Sequence, residues 1–262
     1  MGLFNIFKKK KREAAVLPSF VLLDCMEFDV SMFVADFKND WGIEIALDDE
    51  DKKESDMPVI VTHIDGMMVS IALMPGPIPD DEAISQARTN LLWPDAVAMA
   101  EKHEANVLVA VMGGDKPLKN IAMLHAKLCA SCLKQHSAIA ISTAGSVLEP
   151  RAYMDAAKLA AEKDVFPILN HIFFGIYSSD GELFSGYTYG LESLGKQDIE
   201  IVGSTASAGD IYNFMVDIAA YIMDSDITLK PGETIGFTSE QKLTITESKG
   251  IAVNGKTLKI GF

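Results

Sequence analysis

The spacing of apolar positions divides the chain into strands and helices. Residues 20–26 and 107–112 are nearly continuous apolar runs, which predicts buried strands. Residues 29–40 instead carry apolar side chains at helical spacing, and Asp29 stands where it can cap that helix. The chain therefore combines both kinds of element from its first forty residues onward.

Two dipeptides predict tight turns between antiparallel strands. Asp65-Gly66 separates the apolar runs 59–64 and 67–74, and Asn254-Gly255 lies between two short strands near the C-terminus. Both central residues of a type I′ turn need positive φ, which Asp, Asn and Gly tolerate. Each dipeptide therefore predicts a β-hairpin.

The remaining pattern alternates helices with strands. It predicts strands at 43–47, 138–142 and 199–202 and a hairpin of 166–177 with 183–189. It also predicts helices at 118–136, at 150–162, after Ser207 or Asp210, and at 80–103, where Pro94 should introduce a kink or divide the segment into two helices. Hairpins and crossovers occur together, so we expect an α+β fold with mixed, largely antiparallel sheets and packed helices. We expect a head and linker at 1–17 and two regions, 18–165 and 166–262, that pack as one globular unit.

Composition places the chain among ordinary globular proteins. Its 262 residues are 48% hydrophobic and 23% charged. No apolar run reaches the length of about 18 residues that a membrane span needs. Three cysteines do not make a disulfide framework and fit reduced thiols in a cytoplasm. We therefore expect a cytoplasmic protein.

Charge is distributed very unevenly along the chain. Five of the 23 basic residues lie at positions 8–12, so residues 13–262 carry 18 basic against 37 acidic groups, a net charge of −19. An acidic body disfavours nucleic acid and permits a basic protein partner. The head is either a weak tether to the inner membrane face or a tail that stays in solvent or packs on the body. Its candidate membrane-contact residues are Leu3, Phe4, Phe7, Lys8, Lys9, Lys10, Lys11 and Arg12.

One spacing resembles a zinc-ligand set. His125, Cys129, Cys132 and His136 follow one another at intervals of four, three and four residues. On one straight helix the two histidines would stand about 16 Å apart, too far for a single tetrahedral ion. His125 and Cys129 remain weak candidates as a neighbouring pair, while the alternative is that the cysteines are small core residues. We expect no metal and no cofactor.

Catalytic signals are weak. His63 and Asp65 flank the predicted hairpin and could act as a general base and its orienting carboxylate. The alternative is a half-buried strand histidine beside an aspartate chosen for its turn. The chain has no G-x-S-x-G elbow, phosphate-binding P-loop, G-x-G-x-x-G or H-E-x-x-H motif.

Two tyrosines are the candidates for partner binding. Tyr187 and Tyr189 alternate on a predicted strand and therefore share one face. Such a pair either packs in the core or, if exposed, anchors a protein partner.

The C-terminal sequence resembles a known family. The stretches 186–191, 194–201, 232–237 and 240–243 resemble the bacterial family labelled domain of unknown function 4261, over roughly the last third of the chain. This resemblance implies no known activity and no catalytic residues. Residues 190–201 are also similar to a short stretch of suppressor-of-fused-like proteins, which act by binding other proteins.

These observations favour a non-enzymatic protein that binds another protein, with a regulatory or immunity-like role such as masking a basic partner. The alternative is a hydrolase or metal-dependent enzyme whose site is built around His63, Asp65 and another histidine from elsewhere in the chain.

Overall fold

The computed structural model describes residues 16–47, 57–178, 181–236, 238 and 240–262. The candidate membrane-contact residues of the head, at positions 3–12, lie outside this part of the chain. Within it the structure contains seven α-helices and two largely antiparallel six-stranded sheets, which confirms the α+β class.

The first sheet is antiparallel throughout and has the strand order β2-β3-β4-β1-β5-β6. Its strands are β1 Val16–Leu23, β2 Val59–Ile64, β3 Met67–Pro75, β4 Ala105–Met112, β5 Ala138–Thr143 and β6 Ser146–Leu148. Asp65 and Gly66 join β2 to β3 with φ values of 50° and 75°, and both are positive, as a type I′ turn requires. The predicted hairpin is therefore confirmed.

Five helices accompany this sheet: α1 Val30–Trp41, α2 Glu82–Ala87, α3 Ala96–Lys102, α4 Leu118–Cys132 and α5 Pro150–Lys163. The helices α1 and α4 pack on each other, and their apolar faces join the core formed by one side of the sheet. The short helices α2 and α3 pack on the opposite side, against β5 and β6. Within the described residues, one side is therefore covered across its width, and the other at β5, β6 and the end of β1 at Phe20 and Leu22.

The second sheet has the strand order β10-β11-β12-β9-β8-β7, and only β12 and β9 run parallel. Its strands are β7 Phe173–Tyr177, β8 Phe184–Tyr189, β9 Ile199–Ser204, β10 Thr234–Ile235, β11 Leu243–Lys249 and β12 Lys256–Ile260. The short helix α6, Ile168–His171, precedes β7, and α7, Ala208–Asp224, packs across β7 and β8.

One contiguous apolar core runs through both sheets. It contains Val109 of β4, Leu128 of α4, Tyr153 of α5, Ile199 of β9 and Ile218 of α7, each no more than 1% exposed. In the part of the chain that the structure describes, no helix is both long enough and apolar enough to cross a bilayer.

Helix caps formed where the sequence predicts them. The Asp29 carboxylate accepts the Met32 N–H at 2.9 Å and starts α1, and Gly42 ends that helix with φ of 66°. The Ser207 hydroxyl oxygen accepts the Asp210 N–H at 3.1 Å and starts α7. Both signals are local, so they do not depend on the tertiary fold.

Some predicted elements differ from the structure. Residues 43–47 form no strand; Ile45 is buried in the core, and the Ala46 carbonyl accepts the Thr62 hydroxyl at 3.1 Å. The division into two helices allowed for at Pro94 is confirmed, because residues 80–103 contain two short helices separated by turns at 88–95. The helix predicted to reach His136 ends at Cys132, where tight turns lead into β5.

Candidate functional site

The proposed catalytic residues lie at an exposed hairpin. His63 is an exposed residue of β2, and Asp65 is an exposed turn residue. No hydrogen bond joins the two side chains in the described chain. Asp65 instead lines a small depression of about 160 Å³ whose lining contains lysines and no histidine. The structure therefore brings neither a second histidine nor a deep polar pocket to this pair.

The structure does bring His125 and Cys129 together. Cys129 Sγ lies 3.6 Å from His125 Nε2, and both side chains are fully buried. Burial raises the pKa of the Cys129 thiol to about 12, so the thiolate that would bind a metal or attack a substrate does not form near neutral pH. Among the described residues, no group of three or more His, Cys, Asp and Glu side chains is arranged to hold a metal ion.

A second histidine completes a buried polar cluster around this pair. The rings of His125 and His171 lie 5.1 Å apart, and His171 Nε2 is 2.9 Å from the Ala122 carbonyl oxygen. Asn170 Nδ2 donates to the Tyr153 carbonyl oxygen at 2.9 Å. These contacts tie α4, α5 and α6 together, which assigns the cluster a role in holding the core.

The two candidate tyrosines take different positions. The ring of Tyr187 is half-buried and lies over Gly175, with centroids 6.1 Å from Phe173 and 6.3 Å from Tyr177. Tyr187 therefore supports β7 from the neighbouring strand. Tyr189 is 46% exposed, and its ring lies against Gly145 in the β5–β6 turn, where it joins the two sheets.

An apolar recess runs along β7. Two adjoining cavities of about 190 and 460 Å³ share Leu92, Phe173, Phe174 and Tyr212. We call the recess the β7 cleft. It is formed by β7 itself, the segment 89–93, residues 148–156 and the first turns of α7 at 208–213.

Two adjacent leucines form the rim of the β7 cleft. Leu91 and Leu92 are 72% and 71% exposed, the highest values among the large apolar residues of the described chain. Asn90 fixes their segment, because its Nδ2 donates to the Val147 carbonyl oxygen at 2.9 Å and its Oδ1 accepts the Leu92 N–H at 3.0 Å. The opposite wall is Tyr212, whose ring packs edge-on against Phe174 at 5.8 Å. The leucines are thus presented by an anchored turn.

Strand β7 offers the cleft a free backbone edge. It pairs with β8 on one side and is the last strand of its sheet. In an antiparallel ladder, alternate residues turn their N–H and C=O groups away from the partner strand. Among the described residues no further backbone hydrogen bond to residues 173–177 is present. The edge can therefore pair with another extended chain.

The cleft has little catalytic chemistry in its walls. Among its described lining residues Glu149 is the only charged one, and there is no histidine or cysteine. Aromatic and aliphatic side chains make up most of the surface, so the cleft suits an apolar ligand. The sequence signal for this site is the run of three apolar residues at 91–93 directly before Pro94. The helix predicted over 80–103 includes these residues, so they were not identified as a binding site.

Comparison with known proteins gives one result. Residues 187–261 match the family model described as Domain of unknown function (DUF4261). This match confirms the resemblance of the C-terminal third, and it spans most of the second sheet from within β8 to β12, together with α7. Strand β7 and the leucine rim lie outside it. No curated protein and no solved structure matches the chain.

Proposed function

We propose that this protein is a non-enzymatic binding module that takes an extended apolar segment of another protein into the β7 cleft. The observation that carries the proposal is the position of Leu91 and Leu92. Two strongly exposed leucines are held by an anchored turn, directly beside the free edge of a strand. Exposed apolar groups in such a setting are typical of protein-interaction sites.

The form of the ligand follows from β7. An extended peptide can add to a free sheet edge through main-chain hydrogen bonds, while its alternate side chains enter pockets beside the strand. The five residues of β7 are long enough for a segment of similar length, about 17 Å. The space between Leu92 and Tyr212 would then receive one apolar side chain, and the surface along Ile176 would receive another.

The charge of the chain favours a basic partner. Residues 13–262 have a net charge of −19, and the single charged residue in the described lining, Glu149, is acidic. We therefore propose that lysines or arginines flank the bound segment, as expected for a regulator or immunity-like protein that masks a basic partner. The free thiols of Cys25, Cys129 and Cys132 support a cytoplasmic setting.

The test compares capture by two matched variants of the full chain. Leu91→Ser with Leu92→Ser removes the rim without changing net charge. Leu159→Ser with Ile251→Ser is the control, because those residues are 48% and 63% exposed and do not line the cleft. Tagged proteins expressed at equal levels are purified from the same cells, and bound proteins are quantified by mass spectrometry.

We expect one stoichiometric partner with the wild type and with the control, and at least about tenfold less of it with the rim variant. The affinity of a synthetic peptide from that partner should fall by a similar factor. Equal capture by the rim variant and the control would contradict the proposal, as would the absence of any stoichiometric partner.

A further inference from the structure

A second apolar surface lies on the first sheet, away from the β7 cleft. Strands β2, β3, β4 and β1 turn one side toward α1 and α4, and we call the other side the open face. On that side the helices α2 and α3 cover β5, β6 and Leu22 at the end of β1, and Phe20 packs against the same cluster. No described helix packs on β2, β3 or β4 there.

The three central rows of the open face hold no Asp, Glu, Lys or Arg. Its outward residues on β2 are Val59, Val61 and His63, and their register partners across β3, β4 and β1 are apolar except for Ser70. A sheet with one solvated side ordinarily alternates apolar with polar residues. Here β4 is apolar on both sides from Val107 to Met112, a pattern typical of a strand that is covered on both. The sequence of the sheet is therefore that of a buried surface.

The shape of the open face is self-complementary. Val61, Ser70, Ala110 and Pro18 lie side by side across the four strands and form a row without long side chains. The rows on either side contain long ones, with Met68 and Met112 in one and Leu108 in the other, whose last member, Phe20, packs against the cluster of α2 and α3. Long side chains of one sheet fill a shallow row on a facing sheet, and a twofold axis lets both sheets do so.

We propose that a second copy of this chain covers the open face, so that two sheets pack face to face. Four strands are about 19 Å wide and the six residues of β2 about 20 Å long, which gives about 400 Å² per copy. Two copies would bury about 800 Å² together, which corresponds to a weak, reversible interface. Because the face holds no Asp or Glu, two acidic chains can meet there without placing carboxylates against each other.

A basic partner protein, chosen for its charge, fits this face less well than a second copy of the chain does. Nothing in its three rows distinguishes a basic protein from any other, although the chain as a whole is strongly acidic. Residues 1–15, which lead into Val16 at the margin of the face, are another candidate occupant, and the experiment below separates this case.

The experiment measures the mass of the full chain by sedimentation velocity from low micromolar to about 100 µM. We expect a concentration-dependent dimer of the 28.4 kDa chain. Raising the salt concentration should strengthen it, because salt screens the repulsion between acidic copies and does not weaken apolar packing. A chain that stays monomeric throughout this range would overturn the proposal.

Two matched substitutions locate the contact. Val61→Lys places a charge in the middle of the open face, whereas Val202→Lys makes the same change on β9, where the valine is 47% exposed against 50% for Val61. We expect the dissociation constant of the dimer to rise at least about tenfold with Val61→Lys and to keep its wild-type value with Val202→Lys. Circular dichroism and thermal unfolding check that both variants fold.

Two results would contradict the second-copy assignment even if some association occurs. A dimer that withstands Val61→Lys uses another surface. A full chain that is monomeric, together with a chain of residues 16–262 that dimerises and is sensitive to Val61→Lys, would show that the N-terminal segment covers the face. Both outcomes leave the proposed binding at the β7 cleft unaffected, since the cleft and the open face share no residue.

Discussion

Two histidines are buried side by side in the core, and this arrangement has a thermodynamic consequence. Burial lowers the pKa of His171 to about 4, and burial together with the nearby His171 holds the pKa of His125 well below its usual value. Cys129 and Tyr153, the titratable groups beside them, are neutral when buried because burial raises the pKa of both. No carboxylate is among the causes of these shifts, so nothing nearby compensates a proton on either ring.

We expect the free energy of unfolding to fall as the pH drops below about 6.5, the ordinary value for a histidine in an unfolded chain. Between that pH and 4, the unfolded chain takes up a proton on His171 and the folded chain does not, so acid favours unfolding. At pH 5 this histidine alone accounts for a loss of about 2 kcal/mol relative to neutral pH. Urea unfolding at pH 7.5 and pH 5 measures the difference.

His171→Gln keeps a donor for the Ala122 carbonyl and removes the titration, so the loss of stability at pH 5 should be smaller in this variant. His63→Gln changes an exposed histidine and should keep the wild-type dependence. If His171→Gln and the wild type respond identically to pH, the buried histidine does not determine the acid sensitivity.

At the scale of elements, one carboxylate organises the end of the second sheet. Glu200 on β9 is 1% exposed, and its oxygens accept the N–H groups of residues 251–253 at 2.8–3.1 Å, the Thr257 hydroxyl at 3.1 Å and the Lys259 ammonium. Burial by itself would raise its pKa, but Lys259 and the backbone donors outweigh that effect and lower it. The β11–β12 connection therefore depends on Glu200.

Removing that carboxylate should destabilise the fold strongly. We expect Glu200→Ala to lower the free energy of unfolding by about 3 kcal/mol, because it leaves Lys259 and several N–H groups without an acceptor. Glu247→Ala is the matched control, since Glu247 forms a solvent-accessible pair with Lys256 at 2.8 Å in the same sheet. Chemical unfolding of both variants provides the comparison, and losses of equal size would contradict this role for Glu200.

The sequence was informative where a structural feature depends on neighbouring residues. The Asp65-Gly66 hairpin and the cap at Asp29 are local and formed as predicted, and of the two candidate caps of α7, Ser207 and Asp210, Ser207 is the one that starts the helix. The strand predicted at 43–47 is absent: Ile45 is buried but pairs with no neighbouring strand, and its burial depends on packing against residues distant in sequence. Apolar spacing alone cannot distinguish these cases.

The candidate site was harder to predict because it also depends on packing between residues that are distant in sequence. The β7 cleft brings together residues 89–93, 148–156, 173–178 and 208–213, which no sequence motif connects. Tyr187 was recognised as a binding candidate, yet it supports β7 through Phe173 and Tyr177 and does not line the cleft. Sequence patterns identified hairpins such as β2–β3 and β7–β8, but not the pairing of strands distant in sequence, and the recess forms only when the two sheets pack together.

At the scale of the whole molecule, the chain has two surfaces of different character. The β7 cleft has an open strand edge and an acidic residue in its lining, which suits recognition of a basic, extended segment. The open face of the first sheet is mostly apolar and has a shallow row between rows of longer side chains, which would suit a copy of itself. A dimer joined by its open faces would carry two clefts, so that it could bind a bivalent partner more tightly than either cleft alone.

The proposed function requires that β7 pair with a strand of a partner protein. Hydrogen–deuterium exchange on the full chain, with and without the captured partner, measures this pairing. We predict that protection on binding is concentrated in residues 173–178 and 89–93, because the free N–H groups of β7 would gain acceptors and the leucine rim would become covered. Protection confined to other regions, with unchanged exchange in β7, would contradict the claim.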